Sequence, residues 1–275
     1  MKKQILLISL MTIALFSCNA QTKNADKKQL KALEIIEKIN KGEHVYYQNA
    51  TIDGDLDFTK VKNAYHENVG MLKVAVNPSI TFINCIFNGN VIAYSNVTAK
   101  DAYSLYFDKN LTFSKCTFMN EVNFNEAIIN GMINFSGSVF EKKSSFDGMQ
   151  CRNKVNYFSE AKFKDATQFQ GIIVSGEMYF VKTEFFGNAA FQQSKFNGDA
   201  QFANTKFYGY ADFSNCQFVN NCLFNYAEFQ KANFGNSIFN QSVNFMNVIF
   251  SNFCNFNNAY FGSDIKFNES TFKLF

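Results

Sequence analysis

The chain has 275 residues and a formal net charge of +3 at pH 7, with 26 Lys and Arg against 23 Asp and Glu. This near balance excludes a strongly basic nucleic-acid binder and a strongly acidic mimic of nucleic acid. The composition is unusual, because the chain contains 35 Phe but no Trp, one Pro and two His. Ordinary domains favour Leu and Val in their cores, so Phe is selected at defined positions.

The first residues have the order of a secretory signal. Lys2 and Lys3 precede an apolar run whose roughly 12 residues are too few to span a bilayer, which needs ~20. The segment that ends at Cys18 reads Leu-Phe-Ser-Cys and resembles the lipobox of bacterial lipoproteins. This resemblance implies cleavage of residues 1–17 and attachment of lipid to Cys18, which would anchor the mature chain to a membrane of the cell envelope, on the periplasmic or outer-membrane face. An ordinary signal peptide with an incidental cysteine is the alternative.

Two short segments follow before the main domain, which we expect over residues 43–275. Residues 18–25 are polar and predict a tether between the lipid and the fold. Residues 26–42 predict an amphipathic helix that ends at Gly42 and caps the open end of the domain. Its aliphatic residues recur every three positions, at Leu30, Leu33, Ile36 and Ile39.

A short repeat fills the main domain and is regular from about residue 105. Its central residue is Phe, and the steps between successive Phe are five and six residues. A small or β-branched residue lies two positions before each Phe, as Ala211 lies before Phe213. In the C-terminal half the Phe positions are 202, 207, 213, 218, 224, 229, 234, 239, 245, 250, 256, 261, 267 and 272.

The repeat is weaker in two places. Its register slips between Cys151 and Phe163, where we expect Val155 and Tyr157 to form the inward pair. Before residue 105 the units are degenerate and are separated by a loop without repeats. The early units are Leu56/Phe58, Ile80/Phe82 and Cys85/Phe87.

The two-residue spacing between the small residue and Phe favours a β structure. Residues two apart lie on the same face of a strand, so the small residue and the Phe both point inward while the residue between them faces water. On a helix, steps of five and six would scatter Phe around the surface, and Phe, Asn and Gly are poor helix formers, which disfavours a right-handed coiled coil. The strands of a transmembrane β-barrel need ~9 to 11 alternating residues, whereas these units offer three.

The triplets AKF, AQF, ADF, AEF, ANF and AYF in this chain resemble the core of the pentapeptide-repeat family over roughly residues 50–272. The resemblance implies an all-β fold, a right-handed quadrilateral β-helix with one unit per face and four faces per coil. The six-residue steps depart from a strict five-residue repeat. We interpret them as one-residue bulges at alternate corners, which gives ~22 residues per coil.

The remaining cysteines fall at inward positions of this repeat. We expect them to be shielded thiols, because a buried cysteine behaves as a small apolar residue. Disulfides are the alternative, since an exported protein meets an oxidising compartment. The six residues are Cys85, Cys116, Cys151, Cys216, Cys222 and Cys254.

The sequence shows no catalytic constellation. Its two histidines, His44 and His66, precede the regular repeat, and no HExxH, GxSxG or P-loop pattern is present. Outward acidic residues stand singly, at Asp199, Asp212, Glu228 and Asp264. We therefore expect no enzymatic activity, no catalytic residues, no metal and no cofactor.

One edge of the predicted rod carries a candidate contact site. If every fourth unit lies on the same face, the corners after Phe140, Phe163, Phe185, Phe207 and Phe250 stack along that edge. Exposed aromatic rows of this kind mark contact sites for glycans or proteins, and simple coverage of the corners is the alternative interpretation. The aromatic residues of the edge are Phe186, Tyr208, Tyr210 and Phe253.

These features predict a non-enzymatic, membrane-anchored scaffold or binding protein with an unidentified protein or polysaccharide partner and no nucleic-acid partner. Some pentapeptide-repeat proteins inhibit DNA gyrase by resembling duplex DNA, but near-neutral charge and export disfavour that role here. A glycan-binding module is the other alternative. The repeat reaches Phe272 without a capping helix, so we also expect a homodimer through the C-terminal coil.

Overall fold

The chain winds into a right-handed parallel β-solenoid of about 10 turns, as predicted. The computed structural model describes residues 28–68, 71–94 and 102–273, so the predicted signal peptide, Cys18 and the predicted tether lie outside the described residues. Thr117 pairs with Val139, which lies 22 residues later in the chain. One coil therefore takes the predicted number of residues.

Each coil has four faces, which we number 1 to 4 in chain order. Within the described residues, faces 1 and 2 together contain 17 strands. The strands of face 1 alone are Lys28–Lys31, Ala50–Asp53, Ile86–Phe87, Thr117–Phe118, Val139–Phe140, Lys162–Phe163, Glu184–Phe185 and Thr271–Phe272. The strands of face 2 alone are Leu56–Asp57, Val91–Ile92, Val122–Asn123, Ser144–Ser145, Thr167–Gln168 and Ala189–Ala190. Three long strands turn the corner and belong to both faces, namely Lys206–Asp212, Glu228–Asn233 and Ile249–Asn255.

In the part of the chain that the structure describes, faces 3 and 4 contain 10 strands each. The strands of face 3 are Ala64–Asn68, Met71–Val76, Ala102–Phe107, Ile128–Ile129, Gln150–Cys151, Ile173–Val174, Lys195–Phe196, Gln217–Phe218, Ile238–Phe239 and Tyr260–Phe261. The strands of face 4 are Val45–Gln48, Ile80–Ile83, Leu111–Ser114, Ile133–Asn134, Val155–Tyr157, Glu177–Tyr179, Ala200–Gln201, Cys222–Leu223, Val243–Asn244 and Ile265–Lys266. The loop expected among the early units contains an antiparallel pair, Ala64–Asn68 with Met71–Val76, and a short 3-10 turn covers Phe58–Lys60.

The N-terminal helix covers the first coil but is shorter than predicted. It spans Ala32–Asn40 and not residues 26–42, because Lys28–Lys31 form a strand that pairs with Ala50–Asp53 and extends face 1. This pairing gives the backbone N–H and C=O groups of Lys28–Lys31 hydrogen-bond partners in a neighbouring strand. In the predicted helix, the same groups would have bonded to each other. Leu33 is 62% exposed, so the buried side of the helix differs from the predicted stripe. Its buried residues are Ala32, Ile35, Ile36 and Ile39.

The core consists of columns of Phe rings that run along the axis. On face 1, the ring of Phe163 lies 4.5 Å from that of Phe140 and 4.9 Å from that of Phe185, with interplanar angles of 14° and 4°. Rings on adjacent faces meet edge to face, as Phe163 and Phe169 do at 88°. Both arrangements are favourable for aromatic quadrupoles. Each ring is thus buried by the coils above and below it.

The small inward position also accepts hydroxyl groups, because the neighbouring coil supplies an acceptor. The hydroxyl of Thr183 donates to the carbonyl oxygen of Phe158 at 2.8 Å, and that of Ser194 donates to the carbonyl oxygen of Phe169 at 2.7 Å. A buried hydroxyl with a partner avoids the desolvation penalty of an unpaired one. Ser and Thr therefore replace Ala here without disrupting the core.

Alternate corners are tight turns. The backbone N–H of Ser194 donates to the carbonyl oxygen of Phe191 at 3.2 Å, and Gln193 between them has φ of 61°. This is the geometry of a type II turn, whose third residue needs positive φ and favours Gly or Asn. The same conformation returns at Asn204 and Asn215. The other corners hold the six-residue steps, except that the step from Phe229 to Phe234 has five residues and the step from Cys151 to Phe158 has seven.

The inward pair predicted at Val155 and Tyr157 is wrong by one residue. Asn156 and Phe158 are fully buried instead, because the preceding corner contains one extra residue and Val139 pairs with Lys162, 23 residues later. The Asn156 amide donates to the carbonyl oxygen of Glu177 at 3.3 Å. The ring of Tyr157 lies outside the core, where it is half-buried and stacks on Tyr179 at 5.3 Å.

We expect Phe213→Ala to lower the free energy of unfolding by about 3 to 5 kcal/mol, since it leaves a cavity between two stacked rings. Phe213 is fully buried and lies 4.7 Å from Phe191 and 5.1 Å from Phe234. Urea unfolding followed by circular dichroism measures the change. The control is Phe253→Ala, whose side chain is 48% exposed and whose effect should stay within ~0.5 kcal/mol. Equal losses in the two variants would contradict the stacked core.

Candidate functional site

The four predicted contact residues lie along one edge of the rod, the corner between faces 1 and 2. Phe185 pairs with Phe207 in the next coil, and the corner residues after them stack in turn. We call this corner the aromatic edge, defined by Phe186, Tyr208, Tyr210 and Phe253. The stacking of corners predicted from the repeat is confirmed by the strand register.

Phe186 and Tyr208 form a closed stack on the side of face 1. Their ring centroids are 4.9 Å apart with an interplanar angle of 22°. The ammonium of Lys164 lies 4.0 Å from the centroid of the Phe186 ring, so both sides of Phe186 are covered. Phe186 therefore presents mainly its ring edge to a partner, whereas Tyr208 is covered by a ring on one side only.

Tyr210 and Phe253 lie on the side of face 2 and do not stack. Lys231 separates them, because it pairs with Tyr210 in one neighbouring coil and with Phe253 in the other. Burial, followed by the charge of Asp212, raises the pKa of the Tyr210 phenol, whereas the side chain of Asn233 lowers it. The predicted ladder is thus divided into one stacked pair and two separate rings that border face 2.

Face 1 beside the edge carries ion pairs between neighbouring coils. The Lys162 ammonium lies 2.9 Å from the Glu184 carboxylate, and the Lys206 ammonium lies 2.9 Å from the Glu228 carboxylate. Hydrogen bonding and the opposite charge of these partners raise the pKa of both lysines. Exposed pairs of this kind contribute little to stability, but they leave face 1 with alternating and balanced charge.

Face 2 carries a ladder of amides that the sequence reasoning missed. The Asn233 amide donates to Asp212 Oδ1 at 3.1 Å, and the Asn255 amide donates to Asn233 Oδ1 at 2.8 Å. At the exposed turn beside it, the Asn258 amide donates to Asn236 Oδ1 at 3.2 Å. We call the part of face 2 defined by these five residues the amide face. The sequence indicates this ladder only through Asp and Asn residues that recur about once per coil, at Asp212, Asn233 and Asn255.

The outward amides are held by their own turns as well. The oxygen of Asn233 accepts the backbone N–H of Gly235 at 3.0 Å, and that of Asn255 accepts the backbone N–H of Asn257 at 2.9 Å. Asp212 accepts the N–H of Ser214 in the same way. These contacts fix each side chain before any partner binds.

Reactive groups do not converge at the aromatic edge. Within residues 28–68, 71–94 and 102–273, no group of three or more His, Cys, Asp or Glu could hold a metal ion. His44 lies at the N-terminal end, where its Nδ1 is 3.1 Å from the backbone nitrogen of Ser79. In the same described ranges, no helix is long and apolar enough to cross a membrane.

The six cysteines within the described residues are all thiols. Five are buried and Cys254 is half-buried. Burial raises the pKa of Cys151 and of Cys254 to about 12, and it also raises the pKa of Cys216 and Cys222. The Cys216 thiol donates to the carbonyl oxygen of Phe191 at 2.9 Å, as the hydroxyls do at equivalent positions. The raised pKa values of Cys151, Cys216, Cys222 and Cys254 disfavour the nucleophilic thiolate at neutral pH.

The fold defines a class of protein, the β-solenoids built from short repeats with a small residue and Phe turned inward. Comparison with protein families identifies the repeat, since residues 158–206 and 202–246 match the family described as Pentapeptide repeats (9 copies). The matched part of the chain is similar to pentapeptide repeats and includes Phe186, Tyr208 and Tyr210. Neither the curated proteins nor the solved structures provide a match.

We expect at most one of the six cysteines to react with Ellman's reagent at about pH 8 in the folded chain, because raised pKa values keep the thiols protonated and burial blocks access. Cys254 is the residue expected to react. In denaturant all six should react, provided that Cys18 has been replaced by Ala. Rapid reaction of two or more thiols in the folded chain would contradict the packing, and fewer than six in denaturant would reveal a disulfide.

Proposed function

We propose that this protein is a non-enzymatic binding scaffold of the cell envelope, anchored to a membrane through lipid on Cys18. The rod would present the aromatic edge and its neighbouring faces to a protein or polysaccharide partner. The observation that carries this proposal is the exposure of Phe186, Tyr208 and Phe253, at 37%, 47% and 48%, along one edge of a rigid solenoid. Contiguous exposed apolar groups on a soluble surface often mark contact sites.

The geometry favours binding over catalysis. Every coil repeats the same packed ring, so the surface is a regular array of short outward columns without a deep, enclosed cleft at the edge. A cavity of about 660 Å³ beside Tyr208 and Tyr210 is open to solvent and is lined mainly by uncharged groups. It offers contact area and hydrogen bonds, but it holds no paired carboxylates and no histidine.

The anchor has a direct test. We expect Cys18→Ala to abolish labelling of the chain by radioactive palmitate and to move it from the membrane fraction to the soluble fraction of the envelope, because a single-residue change removes the attachment atom. Thr22→Ala, in the predicted tether, serves as a control that leaves Cys18 and the residues before it unchanged. Full retention of Cys18→Ala in the membrane fraction would refute the lipid anchor.

The same cells test the scaffold. Cross-linking of the anchored wild type in the native envelope should capture a defined partner, and the combined variant Phe186→Ala, Tyr208→Ala, Tyr210→Ala and Phe253→Ala should capture it at least fivefold less. Gln217→Ala, an outward change on face 3, is the matched control. Equal capture by all three would contradict binding at the aromatic edge.

The last coil supports a further part of the proposal, a homodimer. Phe256, Phe261 and Phe267 pack on the core but are only partly buried, and Phe272 is 46% exposed. A second copy would cover these rings. We expect light scattering at micromolar concentration to give twice the mass of one chain for the unlipidated protein, and Phe272→Asp to give a monomer. A monomeric wild type would refute the dimer.

A further inference from the structure

Cys85 and Cys116 occupy the same inward position in adjacent coils. The residues that follow them, Ile86 and Thr117, pair in parallel on face 1, and the backbone N–H of Thr117 donates to the carbonyl oxygen of Cys85 at 2.8 Å. Both cysteines are buried. Within the described residues, the other four cysteines have Ile, Val, Ala or Ser as neighbours in their columns. Cys85 and Cys116 are therefore the one pair that the strand register brings together.

The spacing of adjacent coils suits a disulfide between them. Neighbouring strands lie about 4.8 Å apart, and the two Cα atoms of a disulfide lie ~4.4 to 6.8 Å apart. The two thiols also interact, since burial and then a hydrogen bond with the Cys85 thiol raise the pKa of Cys116. A bond between the sulfur atoms therefore requires rotation of the side chains but no change in the separation of the strands.

The hydrogen bonds that these thiols make to the backbone are long. The Cys116 thiol lies 3.5 Å from the carbonyl oxygens of Phe82 and Ser114, and the Cys85 thiol lies 3.4 Å from that of Ile83. The Cys216 thiol, in contrast, donates at 2.9 Å. Because hydrogen bonds weaken with distance, oxidation of Cys85 and Cys116 gives up little.

The coil between the two cysteines is longer than the regular coils. Thr117 pairs with Ile86, which lies 31 residues before it, and with Val139, which lies 22 residues after it. The nine additional residues add conformational freedom to the unfolded chain, which folding must remove. A cross-link between the first and last residues of this coil restricts that freedom in the unfolded state.

We propose that Cys85 and Cys116 form a disulfide that closes this long coil when the chain folds in the presence of a disulfide oxidant. With glutathione disulfide as the oxidant, the Cys85 thiolate attacks one of its sulfur atoms, and one glutathione leaves from the mixed disulfide that forms. The Cys116 thiolate then attacks the Cys85 sulfur and displaces the second glutathione. Two protein thiols are oxidised, one glutathione disulfide is reduced, and the two thiol protons end on the two glutathione molecules.

The exchange takes place before the coils close, because burial blocks access to these thiols in the folded chain. The test therefore starts from the full chain with Cys18→Ala, reduced and unfolded in urea, so that its six remaining cysteines are thiols. The chain is refolded in detergent with reduced and oxidised glutathione, then alkylated and digested. Mass spectrometry should find that two of the six thiols are lost and that most molecules contain one linked pair, Cys85 with Cys116.

Oxidation of the same chain in concentrated urea shows whether the fold selects this pair. Cys216 and Cys222 are only six residues apart in the sequence, and short loops close at the lowest entropic cost. The unfolded chain should therefore link Cys216 with Cys222 in preference to Cys85 with Cys116. The refolded chain should show the opposite preference.

Two serine variants identify the bond. Cys116→Ser should keep all five of its thiols after oxidative refolding, and it should fold because Ser138 is fully buried at the same position of the next coil. Cys216→Ser, whose column neighbours are Ser194 and Ser237, is the matched control and should still lose two thiols. The oxidised wild type should unfold at a urea concentration about 1 M higher than its reduced form, and Cys116→Ser should show no such difference.

Circular dichroism confirms that each variant is folded. Cys85→Ala replaces Cys116→Ser if the latter does not fold, because Ala50 occupies the equivalent position of the preceding coil. The proposed disulfide is wrong if the refolded wild type retains six thiols, or if it links Cys216 with Cys222 as often as Cys85 with Cys116. Its role in closing the long coil is wrong if the cross-linked and reduced chains unfold at the same urea concentration.

Discussion

The structure depends on the burial of one ring of Phe side chains by the rings above and below it. A single coil has no core of its own, because its four inward pairs face an axis that only neighbouring coils can fill. Phe163 illustrates this, since its contacts with Phe140 and Phe185 run along the axis. Stability in such a solenoid is a sum of nearest-neighbour terms, and the short N-terminal helix replaces the missing neighbour at the first coil.

The same constraint organises the surface into columns. Inward positions must alternate with outward ones, so each outward residue lies about 4.8 Å from its equivalents in adjacent coils. Neighbours in a column consequently interact, as Lys206 does with Glu228 and Asn255 with Asn233. A ligand that extends along the rod meets a repeated chemical group, whereas a compact ligand meets only two or three coils.

The sequence predicts the inward positions well because they obey a spacing rule that burial enforces. Ala211 and Phe213 are fully buried where expected, and the stacking of corners follows from counting units. The counting failed at Asn156, because an extra corner residue cannot be placed from the sequence when both Tyr157 and Phe158 are aromatic. The helix prediction also failed at Lys28–Lys31, because this segment pairs with the edge of face 1 and forms a strand there.

The candidate site was harder to predict. Counting repeat units shows which residues of successive coils lie above one another, but it does not show in which direction a corner side chain points. Tyr208 and Tyr210 are two residues apart and were assigned to one ladder, yet the corner between them sends them to different faces. One joins a covered stack beside balanced ion pairs, and the other borders uncharged amides. The edge therefore separates two surfaces of different chemistry, and recognition by this rod depends on which of them a partner contacts.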